Sequence, residues 1–408
     1  MSKKAIVLYL HVHQPWRLRD YTIFDTARDH AYFNGNGVDD RNNRRVFEKV
    51  ADKSYRPMNK LLLRLLNEHD DFKLSLSITG TFVEQAQAFA PDVLDDFRAL
   101  VATGKVEIVA ETYHHSLAFF YSRSEFERQV ALHRDMVMRE FGVAPTAFRN
   151  TELAYNDSLA KWADESGYEA VLAEGWDPVL AGRTPNALYR PPNTEHVRLL
   201  TKNYRLSDDI AFRFGDKAWT EWPLDTGNYE QWVDAALHDG DMINLFMDYE
   251  TFGEHQWEDT GIFDFFEHFV RTWSGRHDRT FHTVTGAARA YDPRGELSMY
   301  HTVTWADSER DLTAWTGNAM QQEVLRYLYD LEHDIVRSGD MELAADWRKL
   351  QTSDHAYYMC TKWFRDGDVH AYFSPYDSPY DAFLYFMNAI RDLRYRLMAY
   401  HGSSHEGF

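Results

Sequence analysis

One recurrence limits what this chain can fold into: short apolar runs alternate with longer amphipathic ones through roughly the first 290 of its 408 residues. The apolar runs fall at residues 5–10, 72–78, 106–109, 147–149, 170–173 and 243–247. Helix-period stretches fill 56–68, 91–103, 124–141 and 158–167. Runs of the first kind have strand length, and helical stretches between them serve as crossovers, so the expected product is α/β, a parallel sheet covered by helices. Gly142 and Gly167 stand where helices should end, because glycine enters left-handed backbone without a Cβ penalty. Ser124 with Glu127 has the spacing of a reciprocal N-cap. Past residue 306 the strands stop. Residues 307–338, 341–365 and 380–400 carry apolar side chains three and four apart, Val324, Leu325, Leu328 and Leu331 among them, which predicts a C-terminal α-helical bundle. No Gly/Ser- or Pro-rich linker precedes it, so firm packing on the preceding part is expected.

The unusual polar residues sit at the ends of the apolar runs. His11-Val12-His13-Gln14-Pro15 follows the first, Glu111-Thr112-Tyr113-His114-His115 the third, Asn150-Thr151-Glu152 the fourth, and Asp248 through His255 the last. In a parallel barrel the C-terminal strand ends form one rim, where active sites lie. Glu152 and Asp248 come from different strands, and two flanking carboxyl groups are what glycoside hydrolysis needs. One attacks the anomeric carbon and the other protonates the leaving oxygen; a gap of about 5 Å gives retention. The acid must keep its proton near neutral pH, and Glu250 and Glu254 close to Asp248 are expected to help it do so. Each residue also has a plainer role available. Glu152 could pair with Arg149, Asp248 could cap the next segment, His11 and His13 could be structural or bind a metal, and Trp305 and Trp315 could be core. The weight of the functional reading comes from four such clusters sharing one rim.

A formal charge of −20 disfavours nucleic acid and anionic membrane surfaces and suits a neutral partner such as a sugar. Aromatic residues, 15% of the chain, can supply stacking faces. Only 12 of the 44 basic residues are lysine, and Asp outnumbers Glu 39 to 25, a bias of salt-adapted hosts and equally of GC-rich genomes. Cys360 is the single cysteine, so no intramolecular disulfide and no Cys-based metal site is expected. The opening apolar run is too short to span a membrane and lacks a small-residue cleavage site, and no later stretch reaches about 18 apolar residues, so the expected location is cytoplasmic.

On these same residues the chain resembles glycoside hydrolase family 57, in particular its α-amylase-like branch. His13-Gln14-Pro15 is similar to the family's first motif, and Gly104-Lys-Val-Glu-Ile108 to its second. Phe148-Arg-Asn-Thr-Glu-Leu-Ala-Tyr155 resembles the third, whose glutamate is the nucleophile. Met247-Asp-Tyr-Glu-Thr-Phe-Gly-Glu-His255 resembles the fourth, whose aspartate is the acid/base. Trp305-Ala-Asp-Ser-Glu-Arg-Asp-Leu-Thr-Ala-Trp315 resembles the fifth. The branch is matched further at Leu206-Ser-Asp-Asp-Ile-Ala-Phe-Arg213, at 352–358 and at 374–381.

The resemblance implies an incomplete (β/α)7 barrel over residues 1–300, followed by a helical bundle over 301–408 that completes the substrate cleft. It implies a retaining mechanism on α-1,4-glucans such as maltodextrin, starch or glycogen, with Glu152 as nucleophile, Asp248 as general acid/base, and neither cofactor nor metal required. His11, His13 and His115 would contact the sugar beside the scissile bond, with Glu250 and His255 as further contacts. Asp311 and Trp315 would bring a hydroxyl acceptor and a stacking face from the bundle. On the same fold a 4-α-glucanotransferase or branching enzyme remains open, because the chemistry up to the covalent intermediate is shared. A metal-dependent deacetylase or mannosidase using His11 and His13, and a non-catalytic glucan-binding protein, are the alternatives of other kinds. Oligomeric state is not legible.

Overall fold

The computed structural model describes residues 3–362 and 372–404. The chain divides into two units, the first comprising Met1–His13, Glu48–Glu111 and His133–Trp305, the second Gln14–Phe47, Thr112–Leu132 and Ala306–Phe408. These are not the two contiguous segments expected from sequence. The segments that follow the first and third strands belong to the second unit, so the chain passes between units several times rather than once near residue 300.

Among its described residues the first unit is built on nine strands: β1 (Lys4–Val12), β2 (Leu74–Ile78), β3 (Val106–Ile108), β4 (Ala147–Phe148), β5 (Ala170–Glu174), β6 (Leu188–Tyr189), β7 (Arg198–Lys202), β8 (Met242–Asp248) and β9 (Arg279–His282). One sheet has the order β3-β2-β1-β8 and the other β4-β5-β7-β6. Two seams join them. Ala110 bridges Phe148 in parallel, and the Asn203 N–H donates to the Asn244 carbonyl at 2.9 Å. The parallel strands β1, β2, β3, β4, β5, β7 and β8 therefore follow one another round a ring, an incomplete (β/α)7 barrel. β9 pairs with the first half of β1, and β2 with the second half.

Side chains alternate along each strand, so alternate residues face the barrel interior. Ala5, Val7 and Tyr9 of β1 form one buried cluster with Val109, Ala147, Leu172, Leu200 and Phe246 from the other strands. Val284, Ala287 and Ala288 of the helix Val284–Ala290 join the same cluster. The crossover helix Arg56–Glu68 has the expected bounds. Gly142 and Gly167 take the left-handed backbone expected of helix ends, with φ of 69° and 82°. The cap before the helix Arg123–Phe141 is Ser122 rather than Ser124: its hydroxyl accepts from the Glu125 N–H, while Ser124 turns to Glu332. β6, β7 and β9 escaped the sequence reading because they carry few apolar residues. β7 reads Arg-Leu-Leu-Thr-Lys, and pairing with β5 rather than its own hydrophobicity makes it a strand.

The second unit is mainly helical, but its helices are shorter than periodicity suggests. The expected 307–338 stretch resolves into Thr313–Thr316, Ala319–Tyr329 and Glu332–Ser338. The first break is enforced by Asn318, which caps the next helix in a reciprocal box with Gln321. Met341–Leu350 and Ser353–Tyr357 replace the expected 341–365, whose last residues lie outside the described ones. Pro379–Ser404 is continuous. Within this unit Asp392, fully buried, accepts from the Ala27 N–H, His30 and the Tyr32 hydroxyl. Among the described residues no helix is long and apolar enough to cross a membrane.

β8 runs into a loop that returns on itself at Gly253, whose φ is +107° and whose site has no room for a Cβ, which would strike the Lys53 carbonyl. Gly253→Ala is expected to lower stability by about 2–4 kcal/mol through combined strain and clash. Chemical denaturation followed by far-ultraviolet circular dichroism measures it.

Candidate active site

The interior rows of the barrel change character at their last position. Above Tyr9, Val109, Ala147, Leu172, Leu200 and Phe246, the next inward residues are His11, Glu111, Arg149, Glu174, Lys202 and Asp248, with Ser77 completing the circuit from β2. Seven ring strands thus end in seven polar side chains. His11 and Asp248 are partners across the β1–β8 pairing, and His11 and Ser77 across β1–β2. Two of the expected site residues, His11 and Asp248, are adjacent because strand register makes them so.

Arg149 and Glu111 are both fully buried and lie 3.6 Å apart. The Ser77 hydroxyl donates to Glu111 at 2.7 Å. His11 Nε2 lies 3.2 Å from Glu111 and 3.4 Å from Arg149 Nη1, and His11 Nδ1 is 3.5 Å from Asp248 Oδ1. His133 supports the group from behind, its Nε2 donating to the Ile78 carbonyl and its Nδ1 accepting the Glu111 N–H, while burial pushes its pKa down. Arg149 therefore has Glu111 as a buried ion-pair partner. A cation bound at His11 Nε2 would meet a fixed guanidinium, which argues against that nitrogen as a metal ligand.

Glu152 sits one turn past β4 in left-handed backbone, φ 59° and ψ 26°, followed by Leu153 at φ 51°. Non-glycine residues rarely adopt that region, and such strain concentrates at functional sites. The turn is held by Asn150, whose amide donates to the Ala154 carbonyl, and by Tyr155 and Val303, which exchange main-chain hydrogen bonds. Trp305 completes the clamp. Its Nε1–H donates to Glu152 Oε2 at 2.9 Å, and its ring lies 6.3 Å from that of His11.

Asp248 keeps a side chain that is 38% exposed. Burial pushes its pKa up, but the hydrogen bond from His11 and the charges of His11, His255 and Arg149 outweigh it, and the carboxyl ends below its ordinary value. This corrects the expectation that nearby acids keep Asp248 protonated. Glu250 is the group so affected: burial first, and the Asp248 charge second, push it up to about 8, despite hydrogen bonds from Tyr55 and the His13 N–H that oppose the rise. At neutral pH Glu250 is the carboxyl that favours its acid form. His13 stacks on His11, ring centroids 5.7 Å apart, and hydrogen bonds Thr79 at 3.0 Å. His255 lies in the Glu250 loop, where its N–H donates to the Glu250 carbonyl, and burial lowers its pKa against the pull of Asp248 and Glu254.

Three expected contacts lie in the second unit. His115 is buried in left-handed backbone, its carbonyl accepting from the Ser353 N–H. Asp311 lies just before the short helix Thr313–Thr316 and accepts from the Thr313 N–H. Trp315 is 1% exposed with its ring 5.9 Å from that of Tyr357, so it is a core indole and lacks the open stacking face expected of it. Sequence reasoning missed Ser77, Glu174, Lys202 and the role of Trp305. The first three were readable as the i+2 continuation of each interior row; the Trp305 contact is long-range.

The Glycosyl hydrolase family 57 sequence model matches residues 7–300. The chain is 41% identical to a provisionally named alpha-amylase of Methanocaldococcus jannaschii, over 96% of this chain and 84% of that protein. It is 26% identical to an alpha-amylase of Pyrococcus abyssi, over 52% of this chain and 32% of that protein. Among solved structures, a branching enzyme from Pyrococcus horikoshii superposes with a TM-score of 0.69 at 15% identity, over 87% of this chain and 85% of that one. An alpha-amylase from Thermotoga maritima superposes with a TM-score of 0.63 at 14% identity, over 99% and 94%. At these identities the structural likeness is one of fold.

Because Glu250 holds a proton in the folded protein that an unfolded chain releases near pH 4.5, its contribution to stability is full below that pH and lost as pH rises towards about 8. Glu250→Gln keeps an acceptor for Tyr55 and removes the titration. The fall in melting temperature of the parent protein between pH 5 and pH 8 is expected to be shallower in this variant, as read by differential scanning calorimetry.

Proposed function

The chain belongs to glycosyl hydrolase family 57, and from that membership we propose that it is a retaining glycosidase of α-1,4-glucans, with Glu152 as nucleophile and Asp248 as general acid/base. The observation that carries this assignment is one chain of contacts. Asp248 is 3.5 Å from His11, the His11 and Trp305 rings are 6.3 Å apart, and Trp305 holds Glu152 at 2.9 Å. Two carboxylates, one following β4 and one ending β8, thus meet the same imidazole–indole pair, which supports their acting on one glycosidic bond.

In the first step a Glu152 oxygen bonds to the anomeric carbon as the bond from that carbon to the leaving glucan oxygen breaks, and Asp248 gives that oxygen its proton. Asp248 is ionised in the free protein. A sugar laid over its exposed part removes solvating water and drives the carboxyl towards its acid form, the direction the step needs. In the second step Asp248 takes a proton from the incoming acceptor, whose oxygen displaces Glu152 from the sugar. Water as acceptor gives hydrolysis and a sugar hydroxyl gives transfer. His11 and His13 present ring nitrogens to the same rim, and His255 stands beside Asp248, as donors and acceptors for sugar hydroxyls. A neutral glucan suits a chain of charge −20, and a cytoplasmic role in maltodextrin or glycogen turnover fits this reading.

Incubation with maltoheptaose tests the activity: shorter maltooligosaccharides alone mean hydrolysis, longer or branched products mean transfer, and no turnover overturns the proposal. Glu152→Ala and Asp248→Ala are each expected to lower kcat by about 10³-fold or more, since both groups act in the transition state. Azide is expected to restore part of the activity to Glu152→Ala; restoration of Asp248→Ala alone would reverse the two roles.

A further inference from the structure

Trp305 holds Glu152 twice. Its main-chain N–H donates to the Glu152 carbonyl at 3.3 Å, and its indole N–H donates to the carboxylate at 2.9 Å. Two cations lie against the same ring, the Arg149 guanidinium carbon 4.9 Å and the Lys202 ammonium 5.6 Å from its centroid. Lys202 is buried and is fixed by Asp208 at 3.0 Å and Glu174 at 3.8 Å. Asp208 comes from the stretch 206–213, which the catalytic roles above leave without a task.

We propose that Trp305 is a positioning residue that aims the Glu152 carboxylate, and that Lys202, set in place by Asp208, strengthens the indole donor. The inference rests on Glu152 being the nucleophile. The terminal torsion of a glutamate is broad and two-fold, so an unclamped carboxylate turns freely and presents its oxygens in many directions. A donor fixed on Oε2 sets the plane in which the carboxylate oxygens lie, and the left-handed backbone beneath it is pinned by the same tryptophan. Cations on the π-face draw electron density from the indole and make its N–H a better donor. When the covalent sugar is released, charge returns to the carboxylate, and the same donor receives it.

The test uses 5-fluoro-α-D-glucosyl fluoride, whose leaving fluoride needs no protonation and whose ring fluorine slows release of the covalent sugar. Mass spectrometry of the digested protein should place the label on Glu152 in the parent enzyme. Absence of label there would overturn the reading of Glu152 itself. With label on Glu152, Trp305→Phe is expected to slow labelling and kcat on maltoheptaose by about 100-fold, and Lys202→Met by about tenfold, with KM changed less than about threefold in both. Asp208→Asn should follow Lys202→Met. Labelling at the parental rate in Trp305→Phe, or a loss confined to KM, would overturn the inference. Should Trp305→Phe fail to fold, as judged by its thermal transition, Lys202→Met decides alone: labelling at the parental rate overturns the proposal.

Discussion

A ring of buried charge has to neutralise itself, and the rest of the first unit is arranged around that requirement. Arg149, Glu111 and Glu174 have no exposed surface, and Lys202 has almost none. Ions taken out of water at this depth are tolerated only with partners in good geometry, and losing one partner costs about 3–5 kcal/mol. Glu111 answers Arg149, Glu174 and Asp208 answer Lys202, and His11 lies between Glu111 and Asp248. The orientation of the candidate site is therefore a consequence of folding as much as of function. A barrel that closed without these pairs would carry uncompensated charge at its mouth.

In and just beyond that ring three carboxyl groups have different surroundings. Glu152 is held by backbone strain and an indole donor. Asp248 is kept ionised by His11 and open to solvent on one side. Glu250, buried behind it, carries a proton at neutral pH. Two like charges this close are costly in a poorly solvated site, and the one with cationic neighbours and some contact with water keeps its charge while the more deeply buried one is pushed to its acid form. Crowding of acids around residue 248 therefore acts differently from what the sequence suggests: burial first, and the Asp248 charge second, raise the pKa of Glu250, while the histidine across the strand pairing lowers that of Asp248.

The sequence by itself determined the alternating order of elements, the approximate bounds of six strands and of the four crossover helices it marks, and the placement of polar clusters, Glu152 and Asp248 among them, at the strand ends. Those follow from local periodicity and from residue types that cannot lie in a core unpaired. Tertiary structure decided the rest. It decided that β7 is a strand, that Arg149 answers Glu111, that Trp315 is core while Trp305 touches Glu152, and that Glu250 rather than Asp248 is pushed towards its acid form. Each of these depends on register, ring closure or burial, quantities set by residues tens to more than a hundred positions apart, and no short window along the chain contains them.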